Sequence, residues 1–287
     1  MGRANPSTVP RRTIDDRSHS GDHRSHFGLS LVKPRATVDR SLLIEGLGKG
    51  LRVIESFSDE QPRQTATEAA RRTGLTRTAA RRYLVSLVHY GYAATDGKHY
   101  WLLPAVLRLG RSYLESARLP RLAQPFLQRL SMQIGETANL GVLDGHEIVY
   151  LARSNSPRVL SIGFHAGARL PAHVVSPGYA ILSTFDEATL EVWIAAHDFA
   201  KFTPQTIAAA EGFRAAVEAT RRLGYAFVDQ YIDAGLCGLA VPLTDRRGRC
   251  VGAISTTFQA QAWPRETALT RLLPALQDAA GAIRAVL

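Results

Sequence analysis

Residues 65–90, TATEAARRTGLTRTAARRYLVSLVHY, read as two short helices joined by a tight turn, and the rest of the chain is placed by reference to them. Ala66, Ala69 and Ala70 recur at helical spacing, giving the first helix a small-residue face that lets another helix approach closely. Gly74 ends that helix. Leu75 supplies an apolar plug and Thr76 an N-cap hydroxyl, after which Ala80, Leu84, Leu87 and Val88 form one buried stripe of a second helix. Arg77 and Arg81 stand four apart and, with Thr78 and Arg82, take the opposite, exposed face near its N-terminus, with Ala79 among them. In a helix-turn-helix these positions enter the major groove, where arginine forks pair with guanine and the helix N-terminus meets phosphate.

A helical hairpin with a solvated basic face is the plainer reading. The residues immediately C-terminal to it argue otherwise. Tyr92–Thr95 leads into Asp96-Gly97, and Lys98–Leu103 continues to Pro104; an Asp-Gly pair between two β-prone runs signals a hairpin. A helix-turn-helix followed at once by a short basic hairpin carrying Lys98 is a winged helix, and the expected partner is double-stranded DNA.

The chain has 287 residues and a formal charge of +10, which is modest for its length. Its distribution matters more. Residues 1–40 hold eight Lys or Arg against four Asp, residues 45–104 nine against six, and residues 105–287 eighteen against fifteen, so the excess is densest where a polyanion would bind. Two cysteines, Cys237 and Cys250, without C-x-x-C spacing exclude a disulfide scaffold or a cysteine zinc finger and fit a reducing cytoplasm. No run approaches the roughly 18 apolar residues of a membrane helix, and the N-terminus lacks the apolar segment of a secretory signal. The reading is a cytoplasmic protein with no membrane partner and no cofactor.

Residues 1–40 lack apolar periodicity and read as a disordered basic tail; His19, His23 and His26 within it have spacing open to a metal, but a solvated tail is the simpler account. Residues 41–104 form the DNA-binding unit, opening with a helical stripe of Leu42, Leu43, Leu47, Leu51, Ile54 and Phe57 packed across the helix-turn-helix. Residues 105–119 are a linker helix with apolar residues on more than one side, as when a second subunit packs against it. Pro120 marks a boundary, and residues 120–287 mix helices with six strands, at 137–143, 147–153, 160–164, 225–229, 238–243 and 251–257. Without regular βαβ alternation, this predicts an α+β class with an antiparallel sheet flanked by helices.

Four segments of the first half, LLIEGLGKGLRVIESF, TEAARRTGLTRTAARRYLVSLVHYGY, YWLLP and VLRLGRSYL, resemble the IclR family of bacterial transcription regulators, as do RLPAHVVSPGYAILS and GLCGLAVPLTDRRGRCVGAIS further on. The likeness covers about residues 42–287. GARLPAH, Val228–Gln230 and the terminal LLPALQDAAGAIRAVL look most like the subgroup controlling the β-ketoadipate pathway of aromatic-acid breakdown. The resemblance implies a winged helix-turn-helix, a dimerising linker helix and a GAF-like effector domain, assembled as a homodimer or a dimer of dimers on a palindromic operator and answering to a small organic acid.

Carried over by motif, the effector pocket would use Ser176, Pro177 and Gly178 at a helix start, then Val228 or Asp229, Gly238, Ser255 and Thr257. Free N–H groups at a helix start suit a carboxylate, and Ser255 and Thr257, two apart on one strand, point to one side. Pro177-Gly178-Tyr179 departs from the small-Gly-basic pattern common in the family, and proline removes one backbone donor. Arg169 and His173 are close enough in sequence to compensate, against the plainer roles of surface arginine and structural histidine. Two other readings stand beside the regulator. One is a small-molecule sensor or enzyme domain with a degenerate DNA module, using Cys237 as nucleophile. The other is a metal-responsive regulator using His165, His173 and Cys237. No Ser-His-acid elbow and no dinucleotide fingerprint occurs, which argues against an enzyme.

Overall fold

The computed structural model describes residues 39–155 and 165–287. The tail reading for residues 1–40 and the strand expected at 160–164 lie outside the described residues, save for the last two positions of the tail.

Local capping sets the first unit. After a 3-10 turn at Arg40–Leu42 comes α1 (Glu45–Glu55), then a two-residue strand β1 (Gln64–Thr65) and α2 (Ala66–Thr73). Thr65 caps α2 reciprocally with Glu68, its hydroxyl accepting from the Glu68 N–H while its own N–H donates to the Glu68 carboxylate at 2.7 Å. Gly74, at φ 68°, takes the left-handed conformation that stops α2, and Thr76 caps α3 (Arg77–His89). The wing is β2 (Ala93–Thr95) and β3 (His99–Leu102), and β1 adds to it to make a three-stranded antiparallel sheet in the order β1-β3-β2. Val53, Ala69, Ala70, Ala80, Leu84 and Tyr100 form the core beneath. The helix expected from Ser41 starts four residues later, and of its stripe Leu42, Leu43, Leu47 and Leu51 are exposed. Val53 does the packing instead.

A 3-10 turn at Pro104–Val106 leads into α4 (Leu107–Ser116), and one extended residue, Ala117, separates it from α5 (Arg118–Ile134). Pro120 does not interrupt a helix: it lies in the first turn of α5, just after the break at Ala117, where a missing N–H costs no helical hydrogen bond.

The remaining strands are β4 (Thr137–Asp144), β5 (Glu147–Ser154), β6 (Arg169–Pro171), β7 (Ala226–Asp229), β8 (Leu236–Thr244) and β9 (Cys250–Gln259). They form one antiparallel sheet in the order β6-β5-β4-β9-β8-β7. Between them come α6 (Ser176–Leu182), α7 (Glu187–Ala195) and α8 (Ala210–Leu223), and α9 (Arg265–Val286) closes the chain. Alternation along the strands serves two cores. Leu140, Leu239, Ile254 and Phe258 pack with Leu127 and Leu130 of α5 and Leu272 and Leu276 of α9. Ile148, Tyr150, Ala240 and Ala253 pack with Ile181 of α6, Trp193 of α7 and Phe213 of α8 on the other face. The α+β class holds, with the sheet between two helical layers.

Candidate functional site

The first candidate surface is the outer face of α3. Arg77, Thr78, Arg81 and Arg82 are exposed, Ala79 is half-buried, and no carboxylate among the described residues pairs with any of the three guanidiniums. They are free because Ala80 and Leu84, fully buried, turn the helix so that its charged side faces outward. Lys98 stands at the wing tip. Asp96 builds that tip by accepting from the Lys98 and His99 N–H groups at 2.9 and 2.7 Å, which holds its carboxyl down at about 2, and Gly97 supplies the φ of 95°. Arg63 braces the wing from behind, its guanidinium 4.2 Å from the Trp101 ring centre. A helix face bearing three uncommitted arginines beside a basic hairpin presents donors in the fork geometry that base edges and phosphates accept.

The second lies on the α6 face of the large sheet. Packing, rather than ligand approach, explains two of its glycines. A Cβ on Gly178 would overlap the Ala172 carbonyl, and one on Gly141 would come within 3.3 Å of Pro177. Pro177 is therefore seated on β4. Ser176 lies over β8, where a Cβ on Gly238 would meet its hydroxyl at 2.8 Å. In register, Val228, Gly238 and Thr257 make one row across β7, β8 and β9, and Ala240 and Ser255 the next. Ser176, Gly238, Val228, Ser255 and Thr257 are thus gathered on one face. Asp229 is not: one residue beyond Val228, it turns to the opposite face, where it accepts from the Cys237 thiol at 3.2 Å. The helix start is also a poor anion seat, since Pro177 has no N–H and that of Gly178 is bonded to the Val175 carbonyl at 3.0 Å.

The charge comes from elsewhere. Asn139 of β4 pairs with Ser255 on one side and with Arg153 of β5 on the other, so the row runs Arg153, Asn139, Ser255, Ala240. Directly paired residues share a face. Asn139 and Ser255 are each 1% exposed, and the Asn139 Oδ1 and Ser255 Oγ atoms have no hydrogen-bond partner among the described residues. Beside the row a depression of about 460 Å³ is lined by Arg153, Asn155, His165 and Ala166. Asn139 and Arg153 were not among the residues expected from sequence. The available signal was the alternation in TANLGVLD, which puts Thr137 and Asn139 on one face of an otherwise apolar strand.

Arg169 and His173 do not compensate for Pro177. Arg169 is held by Glu147 and Asp144 at 2.7 and 2.8 Å. His173 is fully buried, donates from Nε2 to the Ala200 carbonyl at 2.8 Å, and accepts at Nδ1 from His197 Nε2 at 2.7 Å. Cys237 belongs to the α5/α9 core, where burial first and the Asp229 carboxylate second push its thiol up to about 12, so it is a neutral, unreactive group. With Cys237 on that face and His173 bonded to His197 beneath α7, the metal trio of His165, His173 and Cys237 is not assembled.

These two surfaces, a winged helix-turn-helix and a polar row buried in a sheet domain, define a ligand-responsive DNA-binding regulator. Residues 46–97 match the IclR helix-turn-helix domain and residues 111–285 match the C-terminal domain of the bacterial transcriptional regulator IclR; the chain belongs to the IclR family. Families and relatives alike are transcription regulators rather than enzymes. The p-hydroxybenzoate hydroxylase transcriptional activator of Acinetobacter baylyi is 38% identical over 246 residues, 84% of this chain and 91% of its own. The Pca regulon regulatory protein of Pseudomonas putida is 36% identical over 80% of this chain and 79% of its own. Among solved structures, an IclR homologue from Microbacterium hydrocarbonoxydans complexed with 4-hydroxybenzoate superposes with a TM-score of 0.69 at 26% identity, covering 84% of this chain and 98% of that one. Among the described residues no helix is long and apolar enough to cross a membrane.

Proposed function

We propose that the protein is a cytoplasmic, dimeric regulator of aromatic-acid catabolic genes that binds a palindromic operator and changes its occupancy when a hydroxylated aromatic acid enters the α6 face of the sheet. Arg77, Thr78, Ala79, Arg81 and Arg82 read the major groove and Lys98 contacts the backbone from the wing. Residues 41–104 act as the DNA-binding domain, 105–119 as the linker and 120–287 as the effector domain. The row Arg153, Asn139, Ser255, completed by Ser176, Gly238, Val228 and Thr257, receives the acid, with Arg153 opposite its carboxylate. The observation that carries the reading is the outward, unpaired arginine face of α3 in a chain whose relatives regulate aromatic catabolism. Dimerisation is supported by the apolar surface that α1 and α4 leave uncovered, with Leu47 64%, Leu107 74% and Tyr113 53% exposed. Two copies place their recognition helices roughly 34 Å apart or a multiple of it.

Footprinting of promoters beside aromatic-acid catabolic genes tests this, with and without 4-hydroxybenzoate. A protected inverted repeat whose occupancy responds to the acid is expected. Absence of a protected repeat removes the operator assignment, and occupancy indifferent to every aromatic acid removes the effector assignment.

A further inference from the structure

We propose that Asn139 is the specificity-determining residue that makes the pocket select a ring-hydroxylated acid over the unsubstituted one; the proposal rests on the aromatic-acid reading above. Asn139 and Ser255 lie directly opposite each other on β4 and β9, both 1% exposed, and the amide oxygen of one and the hydroxyl oxygen of the other have no hydrogen-bond partner among the described residues. Cross-strand neighbours are about 5 Å apart at Cβ, so one incoming oxygen can meet both groups. The other unpartnered oxygen on β9, Thr256 Oγ1, faces the opposite side between Ala138 and Leu239 and has no polar neighbour in register.

The two ends of a hydroxybenzoate make different demands. A carboxylate only accepts, so at this pair it would leave the Asn139 oxygen buried and unpaired, at a cost in binding. A ring hydroxyl both donates and accepts: it gives its proton to Asn139 Oδ1 and receives one from Ser255. Arg153, next in the row on β5, has donors only and suits the carboxylate. Donor and acceptor chemistry therefore fixes which end of the acid lies where. A site built to bond a hydroxyl rejects the analogue lacking it, because its own polar groups are then stranded.

The test is calorimetric titration of the full chain, wild type and Asn139→Leu, with 4-hydroxybenzoate and benzoate, together with melting of the ligand-free proteins. Leucine keeps the shape of asparagine and removes its polar atoms. The wild type is expected to bind the hydroxy acid at least about 10-fold tighter than benzoate, as one bond to a buried acceptor implies. Asn139→Leu is expected to bring the ratio below about 3 by weakening the hydroxy acid alone, and to melt no lower than wild type when empty. An unchanged ratio, or equal wild-type binding of both acids, overturns the role of Asn139 and leaves the aromatic-acid reading standing. Binding of neither acid by the wild type overturns that reading itself. A large drop in the ligand-free melting temperature marks Asn139 as structural and also overturns the inference. Should the leucine variant not fold, Asn139→Val, a β-branched residue at home in a strand that also carries no polar side-chain atom, gives the same comparison with the same outcomes.

Discussion

Arg81 is exposed on α3, has no ion-pair partner among the described residues, and packs against nothing that the fold needs. Arg81→Ala is therefore expected to leave the melting temperature unchanged while weakening operator binding by about 1–3 kcal/mol and relaxing the base preference at one position per half-site. A mobility-shift series on operator variants measures both. Gly178 is the reverse case, a residue on which the fold depends. The helix bearing it is pressed so close to Ala172 that a methyl group would collide with backbone rather than with a side chain free to move. Gly178→Ala is expected to cost about 3 kcal/mol in urea denaturation, if the chain folds at all. The two residues separate recognition from folding, and both stand out in the sequence for the same reason, proximity to a motif.

At the scale of elements, three histidines join the β4–β5 turn, the 3-10 turn before α6 and the end of α7. His197 stacks on Trp193 with ring centres 4.3 Å apart, bonds to His173, and lies 5.1 Å from His146. Burial first, then the neighbouring His173 and His146, holds His197 down at about 4, and burial lowers His173 and His146 as well. All three are neutral in the folded chain. Unfolded histidine takes up its proton near pH 6.5. The stability from this cluster is thus complete above about pH 6.5 and is lost as pH falls from there towards about 4, because the unfolded state gains protons that the folded state refuses. Thermal melting between pH 7 and 4 should show that slope, and His197→Phe should flatten it. Asp96, held at about 2, acts below this window.

Legibility of an element in the sequence depends on where its signal resides. The helix-turn-helix and wing are written in neighbouring residues: Thr65 with Glu68, Gly74, Thr76, and Asp96-Gly97 each act within a few positions. Strand β6, three residues on a sheet edge, is too short for any alternation to register. The row Arg153, Asn139, Ser255 depends on register between distant strands and on an irregularity at Leu140/Gly141 that brings Arg153 opposite Asn139, and no local pattern encodes either. The sequence leaves Val228 and Asp229 as alternatives because the choice between them is a choice of sheet face, which period-two alternation leaves open until a neighbour fixes it; here Asp229 bonds to Cys237 on the far face.

For the whole molecule, Leu47 and Leu51 of α1 and Leu107 and Leu109 of α4 stand exposed among the described residues. Leu47→Asp adds a charge at a site already 64% exposed, so the monomer should fold unchanged by circular dichroism. In sedimentation the dimer proposed above is expected to dissociate, and operator affinity to fall with it, since two half-sites would no longer be held together. A variant that stays dimeric would place the subunit contact elsewhere. The two ends of the chain are linked by a short path: α4 and α5 are parted by Ala117 alone, and β4, with Asn139, begins three residues after α5 ends. The 17 residues of α5 make a rod roughly 25 Å long. Leu119, Ala123, Leu127, Leu130 and Ile134 bury one side of that rod from its first turn to its last, so α5 is clamped to the sheet along its whole length, and Ala117 is the hinge point at which this rigid block hands over to α4.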